Sequence, residues 1–177
     1  HDGMEWPANL LLTFAISLSK SHTVYGLRGG ALVSIHPDNS VVERITTVMG
    51  VTGRQTWSAS SRLAQYSIAK IHSDSESGAA WSDEKVRMTE ILKQRRDLFI
   101  ATCQKLKVPI NPTHDGFFAW LEHEDPTGIV DSCALEQVYL VPLNGGVRIG
   151  LCAIPTDKIE RVAVSLSNAL KELSLIH

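Results

Sequence analysis

The sequence has no apolar run long enough to cross a bilayer: its longest, Leu10 to Ile16, falls far short of the roughly 20 residues required. No membrane partner is expected. Cysteine is sparse, and Cys103, Cys133 and Cys152 are odd in number, far apart and without a Cys-x-x-Cys pair, which argues against structural zinc and dithiol redox chemistry. They read as reduced core residues in a soluble protein of a reducing, cytoplasmic compartment. The seven histidines show no ligand spacing, so no metal site is expected. Neither charge sign dominates: 17 basic against 19 acidic residues leave a net charge of −2, too little for a polyanion-binding surface. Nucleic acid is therefore excluded as an early hypothesis. Internal repeats, linkers and low-complexity segments are also missing.

What is present suits a globular α/β protein: 177 residues, 44% of them hydrophobic, can bury a sizeable core. Leu10 to Ser17 reads as a buried strand, apolar on both faces, of the kind found inside parallel sheets. Parallel neighbours need long crossovers, and only nine residues precede Leu10. With no starting methionine before His1 and no leader, the chain is expected to be the later part of a longer protein.

A second strand is expected over Gly29 to Ile35, where two glycines let the backbone approach something closely. Apolar residues at helical spacing follow from Ser40 to about Val48, with a break bracketed by Gly50 and Gly53. A further helix is expected over Ser58 to His72, then a polar loop, Ser73 to Gly78. Ser82 or Asp83 caps a long helix to about Lys107, with Met88, Ile91, Leu92, Leu98, Phe99, Cys103 and Leu106 inward and Lys93, Arg95 and Arg96 mainly opposite. Three strand-like stretches follow, Gly116 to Leu121, Gln137 to Val141 and Val147 to Ala153. Thr156 then caps a last amphipathic helix.

The informative stretch runs from Ser17 to Gly30, SLSKSHTVYGLRGG. It sets Lys20 just past a strand, with Ser17 and Ser19 before it and Arg28 with its glycines after. A lysine amine in apolar surroundings beside other cations is a ready partner for an aldehyde. Two hydroxyls and a planar guanidinium suit a phosphate dianion. Taken singly, each residue fits an ordinary surface turn.

Together, Ser-x-Ser-Lys, four residues, then Tyr-Gly-x-Arg-x-Gly resembles the lysine signature of the class I and II pyridoxal-phosphate-dependent aminotransferases of fold type I. The resemblance implies pyridoxal 5'-phosphate as cofactor, Lys20 as Schiff-base residue and proton shuttle, and Ser17 and Arg28 as phosphate contacts. Ser19 is an additional candidate, and Tyr25 matches the motif's tyrosine.

It continues in Gly-Gly-Val-Arg148-Ile-Gly, similar to the family strand whose arginine forks the substrate α-carboxylate. An arginine in an apolar strand is costly unless paired, and a carboxylate explains its placement; a strand edge facing water is the plainer alternative. Arg54 and Trp57 match, by spacing, the aspartate and aromatic subgroup's arginine and aromatic; that arginine reaches across a homodimer to a second carboxylate. Ala59-Ser60-Ser61 departs there from the usual Asn-Pro-Pro.

Trp120, on the Phe117-Phe118-Ala119-Trp120 stretch, is a candidate near the substrate, or part of an aromatic core strand. His22 lines the site or caps the turn. The aspartate that pairs with the pyridine nitrogen has no match, because Asp2 lies too close to Lys20. The resemblance thus implies a partial fold type I chain: the end of the large cofactor domain, 1–72, and the small domain, 73–177. The implied activity is transfer of an amino group between an amino acid and a 2-oxo acid, in a homodimeric parent. A pyridoxal-phosphate lyase and a non-catalytic, aminotransferase-like sensor are the alternatives.

Overall fold

The computed structural model describes residues 6–111 and 113–176, so that Asp2 lies outside the described residues. The chain divides into two compact units, His1–Lys85 and Val86–His177. That boundary lies within the long helix, whereas the division expected from sequence lies just before it.

In the first unit, strand β1 (Leu12–Ser17) runs into a single helical turn, α1 (Leu18–Ser21), then a 3₁₀ turn (Tyr25–Leu27) and strand β2 (Gly30–Ile35). Helices α2 (Asn39–Thr56) and α3 (Arg62–Ser73) follow. β1 and β2 pair with each other antiparallel, from Leu12 opposite Ile35 to Ser17 opposite Gly30. The connection is short enough to turn the chain straight back, and among the described residues β1 has this antiparallel partner and no parallel one. Nor is the strand buried: Phe14 and Ile16 on β1 are 48% and 47% exposed, and Leu32 on β2 is 47% exposed. Among the described residues of this unit only Ala64 is fully buried.

α2 also departs from expectation, continuing through Gly50 and Gly53 to Thr56. Each glycine costs a helix about 1 kcal/mol, which an otherwise continuous hydrogen-bond ladder absorbs. Its start is conventional, with the Asp38 carboxylate accepting from the Ser40 N–H at 2.8 Å.

The long helix α4 (Ser75–Leu106) begins seven residues before the expected cap at Ser82 and takes in most of the expected loop. The second unit adds β3 (Ala119–Glu122), α5 (Pro126–Leu135), β4 (Val141–Leu143), β5 (Gly146–Ile149) and α6 (Ile159–Ile176). Its sheet has the order β3-β5-β4, antiparallel throughout, with β5 central. Phe99 and Cys103 of α4, Leu121, Ile129, Cys133, Val147, Ile149 and Leu166 form its buried core.

Four points of the expectation need correction here. Gln137 to Val141 is mostly irregular: Gln137 is left-handed, with φ 60°, residues 138–140 belong to no element, and pairing starts only at Val141. α5 was not anticipated, although Asp125 caps it through the Gly128 N–H and Pro126 opens it. Arg96 is buried rather than outward, because its guanidinium donates to Thr113 Oγ1 at 2.6 Å and to the Gly116 carbonyl. Met88 and Ile91, expected inward, are 47% and 37% exposed.

Candidate active site

The Lys20 turn is built from local bonds. Ser17 ends β1 and caps α1, its Oγ accepting from the Ser19 N–H at 3.3 Å. The Ser21 hydroxyl donates back to the Ser17 carbonyl at 3.1 Å, and the Leu18 N–H donates to the Gly29 carbonyl at 3.1 Å. The second of these ties the turn to the start of β2.

Gly29 and Gly30 have definite neighbours. A Cβ on Gly29 would stand 2.6 Å from the Ala64 Cβ, and one on Gly30 would stand 2.6 Å from the Ile16 carbonyl oxygen. The close approach that these glycines allow is that of helix α3 and strand β1.

Lys20, Tyr25 and Arg28 come together. The Lys20 Nζ lies 4.9 Å from the centroid of the Tyr25 ring, and the Arg28 Cζ lies 4.8 Å from it. Both cations therefore rest against one aromatic quadrupole. Arg28 takes a left-handed backbone conformation, φ 53°, and its Nη1 donates to the Tyr25 carbonyl at 2.8 Å. A non-glycine residue in that region stores strain, a frequent feature of ligand-binding turns. Lys20 is exposed, not set in the apolar surroundings that the sequence suggested, because the β1–β2 hairpin beside it is itself open.

Within this one turn lie a primary amine, the hydroxyls of Ser17 and Ser19 and a guanidinium. That donor set fits a phosphorylated aldehyde: the amine condenses with the carbonyl, while hydroxyls and guanidinium match phosphate oxygens.

Arg54 sits in the last turn of α2 and Trp57 caps that helix, its ring folded back toward Gly53 and 68% exposed. Neither takes part in the contacts that join Lys20, Tyr25 and Arg28, and among the described residues Arg54 makes no hydrogen bond or ion pair.

In the second unit, Arg148 occupies the central strand β5, opposite Trp120 of β3 and Val141 of β4. Its guanidinium lies 4.7 Å from the Phe118 ring centroid. Sequence reasoning singled out Trp120, whereas the ring against Arg148 is that of Phe118. Two residues apart on an extended segment, they share a face, which is the signal that points to Phe118. Trp120 instead packs over Gly146, where a Cβ would meet its ring at 2.6 Å.

Sequence reasoning also missed the surroundings of His22. Its Nε2 is 3.3 Å from the Nε2 of His72, and its ring stacks on Trp81 with centroids 5.0 Å apart. Burial, then the charges of His72 and Lys85, hold the His22 imidazole below the usual histidine range.

Comparison with solved structures gives the class first. An aminotransferase from Anaerococcus prevotii is 29% identical with a TM-score of 0.85, over 92% of this chain and 39% of that one. Cytoplasmic aspartate aminotransferase from Giardia lamblia is 22% identical with a TM-score of 0.75, over 92% of this chain and 42% of that one. An aromatic-amino-acid aminotransferase from Burkholderia pseudomallei, covalently bound to pyridoxal phosphate, is 23% identical with a TM-score of 0.70, over 92% and 41% respectively. The fold is thus part of the fold type I pyridoxal-phosphate transferase architecture. Residues 4–166 match the aminotransferase class I and II family, and the chain belongs to it. It spans about two fifths of the length of each of these relatives.

Proposed function

We propose that this chain supplies the Schiff-base lysine and substrate arginines of a pyridoxal-phosphate-dependent aminotransferase, acting on aspartate or glutamate or on aromatic amino acids. The observation that carries the reading is the gathering of Lys20, Tyr25 and Arg28 beside Ser17 and Ser19, in a member of this family. Residues 1–72 are assigned to the large cofactor domain and 73–177 to the small domain of a longer parent. A homodimer in the cytoplasm suits the family, and the three free thiols suit a reducing compartment.

Pyridoxal phosphate, when bound, supplies an aldehyde that condenses with amines and a ring that accepts electrons. The residues of this chain divide the remaining work. Ser17, Ser19 and Arg28 hold the phosphate, and Tyr25 keeps Arg28 and Lys20 on one side of the turn. The Lys20 Nζ, as free amine, would take the proton from the substrate α-carbon and pass it to the cofactor C4′. Arg148 forks the α-carboxylate, with Phe118 and Trp120 flanking it, and Arg54, with Trp57 beside it, receives the side-chain carboxylate of a dicarboxylic substrate.

The test uses the full-length protein. With an amino acid and 2-oxoglutarate, the expected products are the corresponding 2-oxo acid and glutamate, and Lys20→Ala lowers turnover at least about a thousandfold. Borohydride reduction followed by peptide mapping is expected to place a pyridoxyl group on Lys20. Absence of 2-oxo acid formation overturns the aminotransferase reading, and absence of the adduct overturns the assignment of Lys20.

A further inference from the structure

α1 is a single turn with no buried residue, so something beyond its own bonds must hold it in place. Within the hairpin, the Ser17 cap and the Leu18 to Gly29 bond act only on nearby chain. Among the described contacts, one that reaches far in sequence is that of His22, whose Nε2 meets that of His72, 50 residues on. His22 also closes α1, its backbone N–H donating to the Leu18 carbonyl at 3.2 Å. Its ring stacks on Trp81 at an interplanar angle of 14°, and the His72 ring meets the same indole edgewise at 5.9 Å.

The hydrogen bonds have one consistent direction when both imidazoles are neutral. The Ser21 hydroxyl donates to the Ser17 carbonyl, so its oxygen accepts from His22 Nδ1–H, 2.9 Å away. That tautomer leaves the His22 Nε2 as an acceptor, which the His72 Nε2–H fills at 3.3 Å. A relay thus runs from His72 through His22 and Ser21 to the carbonyl of Ser17, immediately before the Lys20 turn. One added proton is accommodated, because His72 can switch tautomer and accept. Two added protons set N–H against N–H and cation against cation, and the link is lost.

We propose that His22 and His72 are positioning residues for the Lys20 turn, holding it only while the pair carries no more than one proton beyond its neutral state. The inference rests on the reading of Lys20 as the Schiff-base residue, yet concerns groups outside the cofactor contacts. The charged groups that face His22 are His72 from α3 and Lys85 from α4, whose Nζ lies 5.0 Å from the centroid of the Trp81 ring. Positive charge on either one, together with burial, opposes protonation of His22. For a base held below its ordinary value of 6.5, the neutral arrangement is fully favoured above that pH and is lost as pH falls below it.

Two measurements test this. In the 177-residue chain, NMR titration of the imidazoles is expected to show His22 protonating below pH 6.5, with the backbone amides of Ser19, Lys20 and Ser21 shifting as the second of the two imidazoles, His22 or His72, takes up its proton. Amides that do not move as the pair becomes doubly protonated overturn the proposal. In the full protein, pyridoxyl labelling of Lys20 is compared with that of its other lysines, which cancels the general effect of pH on amines. The Lys20 share is expected to fall severalfold between about pH 8 and about pH 5.5. His72→Ala is expected to give the low share at both values. His72→Gln retains a donor without titrating, and is expected to restore the share and remove its acid dependence. A wild-type share in His72→Ala overturns the relay. If the wild-type protein carries no adduct on Lys20, the cofactor reading fails, and the amide titration alone decides the inference.

Discussion

Position 29 shows how much one carbon can matter beside the lysine turn. Its carbonyl anchors Leu18, and its missing Cβ leaves room for Ala64 of α3. Gly29→Ala forces two methyl carbons to within 2.6 Å. The substitution is expected to destabilise the chain by roughly 1–3 kcal/mol, as overpacked sites do, read as a shift in the urea midpoint. Gly26, with nothing within 4 Å of a built Cβ, is the contrasting position and should tolerate alanine with little change.

Cys103 gives a second residue-scale expectation. Burial pushes its thiol from 9.0 up to about 12. The unfolded thiol ionises near its ordinary value while the folded one stays protonated, so stability is unaffected below about pH 9 and declines as pH rises toward 12. A thiol reagent at mildly alkaline pH is accordingly expected to modify Cys152, which is half-buried, long before Cys103 or Cys133. Equal modification rates in the folded chain would contradict the packing described.

Among the elements, the ones legible in the sequence were those whose signal is local. β1 and β2 announced themselves by apolar runs ended by polar turns, α6 by its inward Ile159, Val162, Leu166 and Leu170, and the lysine turn by fixed spacing of Ser17, Lys20, Tyr25 and Arg28. What escaped depends on tertiary partners. Gly50 and Gly53 suggest a break only if helix propensity acts alone, and the start of α4 at Ser75 overrides a run of polar residues that resembles a loop. The partners of His22 lie at positions 72 and 81, too far along the chain for any spacing rule.

Arg96 is the clearest case, a charged residue on the helix face assigned to solvent that instead holds the loop before β3. Arg96→Leu leaves the Gly116 carbonyl and Thr113 without this donor, and is expected to cost roughly 1–3 kcal/mol. That loop leads into Phe118, whose ring lies against Arg148, so on the proposed reading the variant is expected to raise KM for the amino acid in the full protein.

At the scale of the whole molecule, the two units differ in what stabilises them. The second has a continuous buried core drawn from α4, the β3-β5-β4 sheet, α5 and α6. Among its described residues the first buries Ala64 and otherwise depends on hydrogen bonds and half-covered side chains. Amide hydrogen exchange in this chain is expected to be much faster in β1 and β2 than in β5 and α6, since local opening is governed by buried contacts. Comparable protection in the two regions would mean that the hairpin is covered in solution.

That hairpin has a practical consequence for anyone producing the protein. A two-stranded ribbon bearing Phe14, Ile16, Leu32, Val33 and Ile35 on open surface offers unfilled backbone donors and acceptors along its outer margins. Copies of the isolated chain should stack through those margins as concentration rises, turning a purification question into one of dilution, salt and fusion partner.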